Sequence, residues 1–235
     1  MKYYKIKFNV KAIFSLFLVA LATSSYGQKN YIDVGAEGGL NISSLRGNEF
    51  LEESHGTHIG YSAGIFVQYN LKKLLSIRSG VSYELKGSSF EFDLKDNFGN
   101  SIGKFNGKES FEYLIVPLLM RATIGKKVKY FANAGPYIGF LLSQKESTDA
   151  YSLFPETNIN RTEYFKKTET GISLGLGITY DFKNKFAVSF EARNNIGLTN
   201  TSDKPVYNNG EIKTNVFNFL FGFSYKIGQR KNIDN

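Results

Sequence analysis

Apolar and polar side chains alternate along most of the chain from Tyr31 onward. A period of two residues is the signature of a β-strand whose two faces meet different surroundings. The alternation recurs in eight segments, which are residues 31–43, 58–69, 74–86, 111–124, 129–142, 170–181, 186–198 and 214–227. The pattern therefore predicts an all-β protein with eight strands.

The connections between the predicted strands are alternately long and short. Three of them, 70–73, 125–128 and 182–185, have the length of hairpin turns. The other four are long, polar and rich in Gly, Asn, Ser and Lys; they are 44–57, 87–110, 143–169 and 199–213. An even number of strands joined in this way predicts a closed antiparallel barrel with both ends of the chain on one side.

Two kinds of barrel fit this alternation, and they differ in which face is apolar. A soluble lipocalin-like barrel turns its apolar face inward and its charged face to water, whereas a transmembrane barrel does the reverse. Here the polar face is crowded with Gly and Ser and carries few charges, while the apolar face is bulky and aromatic in every strand. Aromatic residues lie on that apolar face beside the short turns, as in a membrane girdle: Tyr69, Tyr130, Tyr180, Phe186 and Tyr225. The sequence therefore favours the transmembrane barrel.

Charged residues at the inward positions form a mixed set of both signs. A set of this kind could line an ion path or a proton relay. An eight-stranded barrel, however, has an interior just wide enough for side chains, so we interpret the set as a structural network that fills the lumen. Its members are Asp33, Glu37, Arg78, Glu84, Arg121, Glu191, Arg193 and Lys226.

The alternation weakens in segment 111–124, which is apolar on both faces. Pro117 lies in the middle of this segment and removes one hydrogen bond of the strand ladder. We therefore expect a bulge or a local bend at Pro117, and Pro136 raises the same difficulty in the next strand.

The first 27 residues have the three parts of a secretory signal peptide. Four lysines precede an apolar stretch at 12–22, and small residues follow at 23–27. This stretch is shorter than the roughly 20 residues that a membrane-spanning helix needs. Without these four lysines the formal charge falls from +8 to +4. The sequence thus predicts a signal peptide at 1–27 and a barrel domain at 28–235.

Composition excludes several kinds of chemistry. The chain has no Cys, so a disulfide scaffold, a thiol enzyme and a Cys-ligated metal site are excluded. His55 and His58, with Glu52 and Glu53 nearby, have the spacing of a Zn²⁺ or Ni²⁺ pair. They lie where a long connection enters a strand, and we expect a solvated loop there. We therefore expect no metal and no cofactor.

Catalysis and nucleic-acid binding also have little support. Some membrane barrels are hydrolases, but the only combinations here are His58 with Ser43, Ser44 or Asp33, without a Gly-x-Ser-x-Gly motif. The glycine-rich run 171–177 lacks the Lys-Ser/Thr of a phosphate loop, and its glycines share one parity that makes room inside the barrel. The long connections have nearly balanced charge, so no basic patch for nucleic acid is expected. We therefore expect that the protein is not an enzyme.

Several segments together resemble the outer-membrane β-barrel proteins of Bacteroidetes that are labelled PorT-like or porin-like. They are 35–43 (GAEGGLNIS), 113–119 (YLIVPLL), 135–142 (GPYIGFLL), 171–177 (GISLGLG), 195–199 (NIGLT) and 219–225 (FLFGFSY). The resemblance implies an eight-stranded outer-membrane barrel and, for the PorT namesake, a role in protein secretion. It implies no catalytic residue. Many such barrels end on an aromatic residue that the insertion machinery reads, whereas 228–235 follow Tyr225 here.

The sequence thus leads to two alternative functions for an integral outer-membrane protein. The first is a structural or interaction role, accessory to protein secretion, with outer-membrane lipid, the barrel-insertion machinery and a secretion-system or surface protein as partners. The second is a small-solute pore or ligand-binding barrel. In either case we expect periplasmic N- and C-termini and extracellular long loops.

Overall fold

The computed structural model describes residues 31–48, 55–71, 74–95, 98–149, 156–182, 185–206 and 210–228. The signal peptide predicted at 1–27, as well as Glu52 and Glu53, lies outside the described residues. Within the described ranges, no helix has the length and apolar character needed to cross a bilayer.

Nine antiparallel strands make up the fold within these described ranges. They are β1 (Ile32–Arg46), β2 (His55–Asn70), β3 (Leu75–Lys95), β4 (Ser101–Gly125), β5 (Val128–Thr148), β6 (Thr157–Asn160), β7 (Thr168–Phe182), β8 (Phe186–Gly197) and β9 (Lys213–Ile227). Eight of them follow one another around the sheet, which closes because β1 pairs with β9 and β4 with β5. The short strand β6 adds to the far end of β5, and a 3₁₀ turn at Thr162–Tyr164 follows it. The predicted eight-stranded antiparallel barrel is confirmed.

The hairpin of β3 and β4 is longer than the sequence predicts. The pattern predicts a polar loop at 87–110, but β3 continues to Lys95 and β4 begins at Ser101. The pairs Glu91–Lys104, at 2.6 Å, and Ser101–Asp93 join the two strands across their exposed outer part. In sequence the outer part of β3 does alternate, with Phe90, Phe92 and Leu94 between charged residues, whereas the outer part of β4 at 101–110 is rich in Gly and Lys and resembles a polar connection.

The two faces of the barrel differ sharply in charge. The outward positions of 32–42, 59–69, 75–85, 114–124, 128–142, 172–180, 186–196 and 217–227 hold no charged side chain. Many large apolar side chains are exposed there, such as Ile65 at 70% and Phe221 at 68%. A surface of this kind is suited to hydrocarbon, in which every backbone polar group must also be paired within the protein.

An apolar cluster fills the lumen near the long connections. It explains why segment 111–124 is apolar on both faces, because Phe111, Tyr113 and Ile115 point inward and pack with Tyr137 and other side chains. The remaining buried members of the cluster are Leu45 and Leu141. The lumen is therefore closed by apolar packing at this end.

Pro117 does not insert a residue into the ladder. The pairs Ser79↔Leu118 and Ser82↔Ile115 keep one register on either side of it, and the carbonyl of Pro117 accepts a hydrogen bond from the Ser79 hydroxyl at 2.8 Å. The register shift of β4 lies instead at Glu112/Tyr113, opposite β5. The proline therefore interrupts the pairing without the bulge expected there.

Inward-facing glycines let neighbouring strands approach closely. A Cβ atom on Gly39 would lie 1.8 Å from the backbone oxygen of Phe219, whereas the nearest atom to a Cβ on the adjacent Gly38, which faces outward, is 3.3 Å away. In β7 the side chains of Tyr137 and Phe131 occupy the space that a Cβ on Gly171 or Gly177 would need.

Substitution of Gly39 by Ala is expected to destabilise the barrel by about 1–3 kcal/mol, because the added methyl group collides with backbone that cannot move away. Gly38→Ala is the matched control and should have little effect. Urea unfolding in lipid vesicles, followed by heat-modifiable migration on a gel, measures both. Equal losses in the two variants would contradict the steric explanation.

Two glutamates face each other at the rim above the apolar band. Glu109 of β4 pairs directly with Glu146 of β5, whose carboxylate binds Arg161 at 2.9 Å. Glu109 is 16 residues from the end of β4 at Gly125. A tilted strand of that length rises roughly 40 Å, well beyond an apolar band about 25 Å tall. Burial, and next the Glu146 carboxylate, raise the pKa of Glu109 from 4.5 to about 7, while Arg161 opposes the shift.

Stability of the rim is expected to fall as pH rises through this range. Because the folded state holds the Glu109 proton more tightly, the stabilisation is complete below pH 4.5 and is lost as pH rises through the folded pKa of about 7. Glu109→Gln should remove this dependence, giving slower amide exchange than the wild type in 107–110 at pH 8 and similar exchange at pH 4, after correction for intrinsic rates.

The exposed Glu163 in the 3₁₀ turn provides the matched control. Glu163→Gln should leave the pH dependence of amide exchange in 107–110 unchanged. If Glu109→Gln and the wild type showed the same pH dependence, Glu109 would not be the group responsible.

Candidate functional site in the barrel lumen

The structure places the eight predicted lumen residues inside the barrel. Seven are buried, and the side chain of Glu37 is 10% exposed. Their alternate positions on antiparallel strands point them toward one another across the narrow interior. They do not form one cluster, however, but fall into three groups along the barrel: Glu37, Arg78, Arg121, Glu191 and Arg193; Glu84; and Asp33 with Lys226.

The central group consists of Glu37, Arg78, Arg121, Glu191 and Arg193. Arg193 bridges the two carboxylates: its Nη1 lies 2.9 Å from Glu37 Oε1, and its Nε lies 2.6 Å from Glu191 Oε1. Arg121 donates to Glu191 at 3.0 Å, and Arg78 forms an ion pair with Glu37. Each carboxylate therefore binds two guanidinium groups, an arrangement that offsets the cost of burying the charges.

Aromatic rings and an amide complete the surroundings of two of these arginines. The guanidinium carbon of Arg78 lies 3.4 Å from the centre of the Phe66 ring, and that of Arg121 lies 3.7 Å from the centre of the Phe131 ring. Asn133 accepts a hydrogen bond from Arg121 at 2.7 Å and donates one to Glu191 at 2.8 Å. The cations are thus held by cation–π contacts as well as by ion pairs.

The distal group, nearer the long connections, consists of Glu84, Lys86 and Glu169. The Lys86 ammonium lies 2.9 Å from Glu169 Oε1 and 3.5 Å from Glu84 Oε1. The hydroxyl groups of Tyr137 and Thr214 donate to Glu169 at 2.6 and 2.9 Å. Because Tyr137 also belongs to the apolar cluster, the polar interior joins directly to the packing that closes the lumen.

The mouth group lies at the short-turn end and consists of Asp33, Lys129, Asp181 and Lys226. Lys129 and Lys226 both bind Asp181 Oδ2, at 2.6 and 2.5 Å. Asp33 instead accepts hydrogen bonds at Oδ2 from Asn70, at 3.0 Å, and from Gln68, at 3.3 Å. Beside this group the lumen opens into a cavity of about 780 Å³.

Four charged lumen residues are not among those predicted. Lys86, Lys129 and Asp181 share the inward parity of their strands, so the alternation itself was the signal that could have found them. The sequence pattern places Glu169 in a long connection, but β7 begins one residue earlier, at Thr168, and this carboxylate is fully buried. With these four, the three groups hold six acidic and six basic side chains.

Of the residues weighed for catalysis, Ser43 of β1 and His58 of β2 are direct partners in the strand ladder. The Ser43 hydroxyl donates to the backbone oxygens of His58 and Gly87, at 3.2 and 3.0 Å, rather than to an imidazole. His55 lies against the ring of Phe90, with 5.4 Å between ring centres. In the part of the chain that the structure describes, no three His, Cys, Asp or Glu side chains are placed to hold a metal ion.

Several solved outer-membrane proteins are similar to this chain in structure. Ail of Yersinia pestis has 12% identity and a TM-score of 0.41 over 83% of this chain and 98% of its own. OprG of Pseudomonas aeruginosa has 12% identity and a TM-score of 0.47 over 88% and 99%. A major outer membrane protein of Thermus thermophilus has 13% identity and a TM-score of 0.48 over 85% and 100%.

Family membership follows from the sequence rather than from these structural likenesses. No curated protein matches the chain. The profile described as "Outer membrane protein beta-barrel domain" matches residues 23–203, which is more than half of the sequence. This match agrees with the closed barrel, its uncharged outer belt and its charged interior. The chain therefore belongs to the outer membrane protein beta-barrel domain family and is a small outer-membrane β-barrel protein.

Proposed function

We propose that this protein acts by binding or assembling with another protein at the outer membrane, with a lumen that serves as a structural core. The observation that carries the proposal is the contrast between the interior and the rim. The lumen is filled by paired charges and closed by an apolar cluster, whereas β3, β4 and β5 extend well above the apolar band. The extended strands at the rim therefore offer a surface to another protein, whereas the filled lumen does not.

The lumen network supports a structural role. Six acidic and six basic side chains neutralise one another within the described barrel, and the central group is almost completely buried. Ion pairs of this kind add little net stability compared with apolar packing, but loss of one partner leaves a buried charge unpaired. The network therefore acts as a set of mutually dependent contacts that fixes the eight strands around one interior.

A small-solute pore is the weaker alternative. A solute passing along the lumen would have to separate the pairs of the central group and then displace Phe111, Tyr113 and Ile115, which are at most 2% exposed. Both movements would disrupt close contacts between buried side chains. Large and stable conductance steps of the purified protein in planar bilayers would contradict the structural role.

An accessory role in secretion is the more specific form of the proposal. It rests on the resemblance to PorT-like barrels of Bacteroidetes and on the projecting β3–β4 hairpin, whose tip carries Phe98 with 91% of its surface exposed. We further propose that 1–27 is the export signal, that the insertion machinery accepts the barrel, and that the short turns and both termini are periplasmic. The hairpin tip would then face the exterior, where a secretion-system or surface protein could contact it.

The interaction role predicts that the hairpin tip crosslinks to another protein in native membranes. A photoreactive benzophenone side chain at Phe98 should give a discrete crosslinked product, because this exposed position lies between the ends of β3 and β4 at the hairpin tip. The same group at Lys127, in the short turn between β4 and β5, is the matched control and should give no such product. Absence of any product from Phe98 in the native membrane would contradict an interaction at the rim.

Orientation is tested with the same two positions. Because the chain has no Cys, Phe98→Cys and Lys127→Cys each carry a single thiol. A membrane-impermeant maleimide should label the first but not the second in intact cells, and both after lysis. Labelling of Lys127→Cys alone in intact cells would reverse the proposed topology.

The structural role of the lumen predicts a large loss of stability on removal of Arg193. Arg193→Met should lower the free energy of unfolding by about 3–5 kcal/mol, because it leaves the buried carboxylates of Glu37 and Glu191 each without one partner. Arg161→Met is the matched control: this side chain is 44% exposed and binds a single carboxylate. Its loss should cost less than about 1 kcal/mol. Equal effects of the two substitutions on urea unfolding in vesicles would contradict the structural role.

A further inference from the structure

The lumen contains a cavity at its short-turn end. Its volume is about 780 Å³, and its walls include residues of both the mouth group and the central group. This size lies within the range of natural sites for small ligands. The packed central group lies beyond it, and the apolar cluster closes the barrel further on. A molecule that enters here therefore has nowhere further to pass and can only bind.

The deep wall of the cavity carries a positive charge that the protein does not balance locally. Arg78 and Arg121 line the cavity and are 3% and 4% exposed. They belong to the central group, in which three arginines face two glutamates. The compensating negative charge is in the distal group, where Glu84 and Glu169 share one lysine. Inside a barrel, where charges are weakly screened, this separation favours an anion beside the arginines.

The cavity wall also offers apolar surface. The buried side chains of Phe66 and Ala187 line it together with the hydroxyl groups of serine and threonine residues. A ligand made of charge alone would leave this surface in contact with water. The lining therefore suits a molecule that combines an anionic head with an apolar body.

Each of the two aspartates of the cavity already binds partners through one carboxylate oxygen, Oδ2. Asp181 holds Lys129 and Lys226, and Asp33 accepts hydrogen bonds from two amide side chains. Each of these two carboxylates keeps one buried oxygen, Oδ1, without a hydrogen bond in the described structure. A cationic ligand is for this reason the competing class, and the test must separate it from the anionic one.

We propose that the short-turn cavity binds a small organic anion, with a carboxylate or phosphate head against Arg78 and Arg121 and an apolar body against Phe66 and Ala187. This site is separate from the projecting hairpin and does not depend on any role in secretion. Under the proposed topology it would sample solutes of the periplasm.

Three probes of nearly the same shape but different charge test the ligand class. Benzoate, benzamide and benzamidinium are titrated by calorimetry into the full barrel in lipid nanodiscs, with empty nanodiscs as the blank. Benzoate should bind about tenfold or more tightly than benzamide, because charge-assisted hydrogen bonds are worth more than neutral ones. Benzamidinium should give no binding heat. Tighter binding of benzamidinium, equal binding of all three, or no benzoate binding would overturn the proposal.

A cavity-filling variant locates the site. Thr179→Phe places a ring among the lining residues without changing any charge and should abolish benzoate binding. Thr170→Phe, on the exposed face of the same strand β7, is the matched control and should bind benzoate like the wild type. Heat-modifiable migration verifies that both variants fold. Retained binding in folded Thr179→Phe would overturn the assignment of the ligand to this cavity.

Discussion

Closure of the sheet is the constraint on which the rest of this structure depends. In hydrocarbon an unpaired backbone N–H or C=O group costs several kcal/mol, so β1 must pair with β9 and β4 with β5. Closing only eight strands leaves an interior as wide as the side chains that fill it. The side chains that point inward therefore have to satisfy one another, because little water can do so. The small number of strands thus explains why the charged side chains of the lumen form ion pairs with one another.

The same constraint explains where charge is absent. The outward positions of the spanning segments carry no charge, whereas the inward positions hold twelve charged side chains in three groups. Glycines on the inward face make this arrangement sterically feasible: a Cβ on Gly175 would lie 2.6 Å from the Glu191 carboxylate, one of the two acids of the central group. Glycines and large charged residues thus share the inward face, because the large side chains lie over the glycines of neighbouring strands.

Alternation along the sequence was enough to predict the barrel, since lipid and lumen impose opposite chemistry on adjacent residues. It also located Arg78, Arg193 and the other six predicted lumen residues on the inward face. It could not show which of them pair, because contacts such as Arg193 with Glu37 join residues 156 positions apart and depend on strand tilt. It did not show the outer half of the β3–β4 hairpin, because Phe90, Phe92 and Leu94 alternate with charged residues in β3 but 101–110 of β4 has no such pattern. The cavity was equally beyond reach, since it is defined by where side chains fail to fill the lumen.

One inserted residue in β5 determines which alternate positions of this strand face inward beyond it. Glu112 pairs with Ser143 and Tyr113 with Leu141, so Leu142 is left over in the ladder. Before it the odd positions of β5 face inward, and after it the even positions do, as the burial of Gln144 and Thr148 shows. The insertion thus turns Glu146 toward Glu109 and Lys145 away from the lumen. A chain shorter by this single residue would exchange the two faces of β5 beyond that point, while β3, β4 and the membrane-spanning part of the barrel keep their register.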